Sequence, residues 1–157
     1  MIGDPRYWRR AIASAACLLA VLTSPAAAQR KVQPMFGVHY GVPLRWSATL
    51  AAGIPLAQGD EAPTAFLAAE PGLAGWRVSA GYAHLTGNLG SGYVLRASVL
   101  RTGAHPWRAP SRATFVGAEA QLMPIFAIGV RAGGFYRVGG TDGAGRGLFA
   151  VDVSMLL

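Results

Sequence analysis

From residue 36 to the end, apolar residues alternate with small or polar ones at a period of two, which limits the chain to β-strands with two unlike faces. Between positions 126 and 138 the even residues are Phe126, Ile128, Val130, Ala132, Gly134, Tyr136 and Val138. The odd ones are Ala127, Gly129, Arg131, Gly133, Phe135 and Arg137. One face is apolar and aromatic-tipped; the other is rich in glycine and carries two arginines. Seven more segments behave alike: 36–42, 44–54, 64–70, 75–85, 92–102, 113–123 and 147–157. Their apolar faces begin with Phe36, Val38 and Tyr40, continue through Leu44, Trp46, Leu50, Leu67, Trp76, Val78, Tyr93, Leu95, Val116 and Leu122, and end with Phe149, Val151, Val153, Met155 and Leu157. The segment 64–70 alternates most weakly, and Val94 and Leu100 interrupt the polar face of theirs. No helical period competes after residue 28.

Strands at this spacing, separated by turn-forming stretches, indicate a barrel or a sandwich. Turns are expected at 55–63, Pro71-Gly72, 86–91, 103–112, Pro124 and 139–146. The link at Pro43 is very short, and the long links fall second and fifth. Either the first two segments are one bent strand, or the count of eight is off by one. The expected fold is all-β: an antiparallel up-and-down barrel of about eight strands. Composition narrows the choice further. With 52% hydrophobic and 13% charged residues the chain is too apolar to be disordered. Its one cysteine cannot pair internally, and no run of ~20 apolar residues offers a transmembrane helix.

Residues 1–28 read as a secretory signal peptide, leaving 29–157 as the barrel domain. Arg6, Arg9 and Arg10 precede an apolar run from Ala11 to Leu22, and Ala26-Ala27-Ala28 fits the small-residue cleavage rule. Cleavage would lower the basic count from 14 to 11 and the acidic count from 7 to 6, a net charge of +5. Those bases are scattered along an exported chain, so no nucleic-acid partner is expected.

The polar face is mainly glycine, alanine and serine with one arginine or acid per strand. As a soluble exterior it is too poor in charge. As the interior of a small barrel it makes sense, because small residues leave room for a few large ones. Arg45, Arg77, Arg96, Arg131 and Arg137 are expected inside, pairing with Glu70, Glu119 and Asp152, with cations in excess. Tyr82, Tyr93, Phe126, Tyr136 and Phe149 fall near strand ends, as aromatic girdles do. The signal segment, the eight amphipathic segments and the terminal run Phe149-x-Val151-x-Val153-x-Met155-x-Leu157 together resemble small bacterial outer-membrane β-barrel proteins. The resemblance implies a Gram-negative outer membrane, contact with its lipids, and recognition of the strand Phe149 to Leu157 by the barrel-assembly machinery. It also implies a structural, surface-interaction or envelope-integrity role without a pore, with or without a surface or periplasmic protein partner.

Two other readings stay open: a lipid-modifying barrel enzyme, and a soluble periplasmic barrel holding a small apolar ligand. For the enzyme, closure would set strand eight beside strand one and bring Asp152 and Ser154 near His39 on one inner face, the minimum for a Ser–His–acid arrangement. The plainer role for Ser154 is a small lumen filler, which makes Ser154→Ala nearly silent. His84 falls on the outer face, and His105 lies in the fifth loop beside Pro106 and Trp107 as a possible contact point. No phosphate loop or paired zinc ligands occur, and the single acid of 139–145 cannot complete a calcium loop. No metal or cofactor is expected.

Overall fold

The computed structural model describes residues 32–59, 61–86, 91–125, 128–140 and 145–156. The signal segment 1–28, Phe126, Ala127 and Leu157 lie outside them. Eight antiparallel strands close into a barrel in chain order: β1 (Gln33–Gly41), β2 (Arg45–Pro55), β3 (Thr64–Gly72), β4 (Gly75–Thr86), β5 (Ser91–Thr102), β6 (Thr114–Ile125), β7 (Ile128–Gly139) and β8 (Gly147–Leu156). Among the described residues there is no helix. Both alternatives raised by the short Pro43 link fall away. β1 and β2 are separate strands in full register, from Gly41↔Arg45 to Gln33↔Gly53.

β1 starts and β8 finishes at one end of the barrel, here called the lower end. The links 42–44, 73–74 and 103–113 lie at the upper end with the end of β7 and the start of β8, and the end of β2, the start of β3, the end of β4, the start of β5, the end of β6 and the start of β7 lie at the lower. The two long links therefore occupy opposite ends. The fifth reaches across the upper mouth: the Trp107 amide donates to the Pro43 carbonyl (3.1 Å) and the Gly103 amide to that of Ala74 (2.7 Å). Thr102 Oγ1 donates to the Pro110 carbonyl (2.6 Å). β6 runs through Pro124, where a turn was expected. The register of β6 against β7 instead slips between Leu122 and Ile125, as it must where proline brings no amide to the ladder.

Which face points inward follows the alternation. Leu50, Val78, Leu95, Leu122, Val130 and Val153 are exposed, while Thr49, Ser79, Arg96, Gln121, Arg131 and Asp152 are buried. Leu44 is an exception: it leaves the outer face and is buried in the first turn. The interior has three layers. Leu44, Leu100, Ala113, Phe115, Phe135 and Leu148 form an apolar plug at the upper end. Phe66, Ala68, Ala83, Val94 and Met123 form another at the lower end. Val94 and Leu100, apparent blemishes in the pattern, belong one to each plug. Charged and polar side chains fill the level between.

Glycines make this filling possible. A Cβ on Gly133 would lie 2.5 Å from Glu119 Cγ, and one on Gly41 2.4 Å from Asp152 Cβ. Each gives up its side-chain volume to a carboxylate opposite. On the upper rim Arg45, Arg108 and Arg112 have φ of 64°, 53° and 54°. This left-handed region costs a residue with a Cβ about 1–2 kcal/mol.

Candidate functional site

At mid-height the inner faces of β3 to β8 meet in a belt of ions. Arg131 on β7 is its hub. Its Nε donates to both Asp152 oxygens (2.9 Å each). Its Nη1 donates to Glu70 Oε2 (2.7 Å) and its Nη2 to Glu70 Oε1 (2.9 Å), the forked geometry in which guanidinium and carboxylate bind most strongly. Arg77 Nη1 lies 2.9 Å from Glu119 Oε1, 3.5 Å from Glu70 Oε2 and 3.7 Å from Asp152 Oδ2. The Glu119 contact is an ion pair without hydrogen-bond alignment. Hydroxyls complete the carboxylate shells: Ser47 donates to Glu70 (2.6 Å) and Ser98 to Glu119 (2.6 Å).

The expected excess of buried cations does not exist. Arg45 is exposed and Arg137 half-buried at the upper rim, so neither enters the belt. Arg77, Arg96 and Arg131 face Glu70, Glu119 and Asp152, three against three. Balance matters because each buried ion carries an effective desolvation cost of about several kcal/mol unless it is paired and hydrogen-bonded. Arg96 is held differently, donating to the Gln121 side-chain carbonyl. Two arginines also lie over aromatic rings: Arg77 is 5.8 Å from the Phe135 centroid and Arg96 5.5 Å from that of Phe66. Such contacts contribute about 0.5–2 kcal/mol and here join the belt to the plug above and the plug below.

Of the residues singled out for chemistry, His39, Asp152 and Ser154, the closing ladder places all three together. His39 pairs in register with Ser154, and its Nδ1 is 3.5 Å from Asp152 Oδ1. Ser154 is engaged elsewhere. Its hydroxyl accepts from Gln121 Nε2 (2.8 Å) and donates to the Gly129 carbonyl (3.2 Å). The hydroxyl that meets the imidazole is Thr49, 2.8 Å from His39 Nε2. The chain of contacts thus reads Asp152, His39, Thr49, with His39 only 2% exposed. A cavity of about 20 Å³ adjoins it, bounded by Met35, Thr49, Phe66 and Arg96. That is room for a water molecule, not a substrate.

Parity in the sequence identifies Ser47, Thr49, Ser98 and Gln121 as inward, but not which ion each one meets, since that depends on register between strands. Among the described residues no group of His, Cys, Asp or Glu is arranged to hold a metal. His84 stands opposite Tyr93, ring centroids 5.7 Å apart, at the lower end. His105 borders an upper-rim cavity with Tyr40, Arg45, Pro106 and Trp107. Comparison of the chain with family models, with curated proteins and with solved structures finds no match.

Proposed function

We propose that this protein is an integral β-barrel of a bacterial outer membrane, serving a structural, surface-interaction or envelope-integrity role. One observation carries the reading: the polarity of a water-soluble protein is inverted. Ions and hydroxyls are buried inside, while every strand turns large apolar side chains outward, among them Phe36, Leu50, Leu67, Val78, Leu95, Leu122, Val130 and Val153. Monomeric soluble proteins rarely expose apolar patches beyond a few hundred Å²; here the apolar surface rings the barrel. Strands of 9 to 12 residues also suit the span of a tilted transmembrane strand. A soluble barrel for an apolar ligand needs an apolar lumen, whereas this one is occupied by paired ions between two plugs. The same filling gives solutes no path through.

Two measurements test the proposal. Folded in detergent, the protein should migrate differently on a gel before and after boiling, because a closed barrel resists the detergent until heated. In cell fractionation it should stay with the membranes. Release into the periplasmic fraction by osmotic shock, or identical boiled and unboiled bands, would overturn it.

A further inference from the structure

The six described arginines outside the lumen all lie at the upper end: Arg45, Arg101, Arg108, Arg112, Arg137 and Arg146. Among the described residues that end has no carboxylate outside the lumen. The lower end has Glu61 and no described lysine or arginine outside the lumen. Backbone conformation marks the same place. The described non-glycine residues with positive φ are three, and all three are arginines of this rim: Arg45, Arg108 and Arg112. Glycine or asparagine would take that conformation with less strain, so the side chains are worth something that the fold itself does not require.

A built cavity adjoins them. Where the tip of the fifth link lands on the β1–β2 turn, Tyr40, Arg45, His105, Pro106 and Trp107 enclose about 220 Å³. Below the roughly 300 Å³ of drug-sized sites, this suits a headgroup. The Tyr40 ring meets those of Trp46 (4.9 Å) on the outer face and Trp107 (6.0 Å) on the rim, tilted 46° to each. The cavity therefore opens where the apolar girth gives way to polar loops, the level at which a bilayer carries its headgroups. Arginine in place of lysine favours a phosphate in particular, since its planar fork binds phosphate oxygens in pairs.

We infer that this rim cavity holds the terminal phosphate of an anionic lipid in the surrounding leaflet, Arg45 gripping the phosphate and Tyr40 and Trp107 flanking its ester. The inference rests on the membrane-barrel reading. Its test uses protein purified from membranes in a phosphate-free maltoside. Native mass spectrometry then measures retention of phosphatidic acid, phosphatidylcholine and oleic acid added to the micelles. Phosphatidic acid should be retained about ten-fold over the other two, and Arg45→Gly should remove about that factor. Glycine suits the backbone at residue 45, so the variant should keep the heat-dependent gel shift. Equal retention of the three lipids, or no loss in Arg45→Gly with that shift intact, overturns the inference and leaves the membrane reading standing. Displacement by an equal concentration of inorganic phosphate also overturns it, in favour of a site for free phosphate. Absence of the gel shift in the wild type overturns both.

Discussion

Glu70 shows what a single residue contributes to this interior. It receives both arms of Arg131 and the hydroxyl of Ser47, and lies within ion-pair distance of Arg77. Glu70→Gln removes the charge while keeping the shape. It should destabilise the barrel by about 3–5 kcal/mol, because half of the Arg131 guanidinium is left buried without its counter-ion. The urea midpoint of the detergent-folded protein measures this, and a midpoint equal to wild type would show that the belt does not hold the barrel together. Ser154→Ala is no longer expected to be silent. Removing the hydroxyl leaves Gln121 Nε2 without its acceptor in a buried place, at a cost of about 1–3 kcal/mol in the same measurement. Parity had made Ser154 a filler; its partner two strands away makes it a hydrogen-bonding residue.

At the level of the strand, two adjacent glycines of β7 should behave in opposite ways. A Cβ on Gly133 would meet the Ala118 carbonyl oxygen at 2.7 Å as well as Glu119, whereas one on Gly134 would meet nothing within 4 Å. Gly133→Val should lower the folded fraction severely, by overpacking worth about 1–3 kcal/mol or more. Gly134→Val should fold at least as well as wild type, which the ratio of heat-shifted to unshifted gel bands will show. On β8, Val153 faces outward, and Val153→Arg should cost about 2–4 kcal/mol if it lies near a bilayer midplane. The strands were legible in the sequence because a period of two needs only neighbours to be seen: all eight segments and the inner and outer faces followed from it. Ends were less legible. Leu44 and Arg45 obey the alternation on paper, yet the turn at Pro43 buries the first and exposes the second. The meeting of His39 with Thr49 rather than Ser154 was out of reach as well, since both hydroxyls share its face and only the three-dimensional packing of side chains chooses between them. The fifth link reads simply as a long loop until its tip is seen on the β1–β2 turn.

Across the whole molecule, seven ladders join strands adjacent in the chain and one joins its two extremes. The β1–β8 ladder has five described pairs, from Gly37↔Leu156 to Gly41↔Asp152, against twelve between β4 and β5. Amide exchange in detergent should therefore be fastest along this seam, since opening there breaks the fewest hydrogen bonds. Protection of the seam equal to that of β4–β5 would contradict the expectation. The ion belt bears on the same event. Arg131 to Glu70 links β7 with β3, and Arg77 to Asp152 links β4 with β8; in a ring of eight, each pair stands diametrically opposed. Neither tie can form while the sheet is merely curved. Until the edge strands touch, each of these groups has only the partner on its neighbouring strand, Arg77 for Glu70 and Asp152 for Arg131, and curling shut adds the ties across the lumen. The belt is in that sense a latch: it penalises every half-rolled form and rewards the shut one, so that the barrel is either open or closed, with little between.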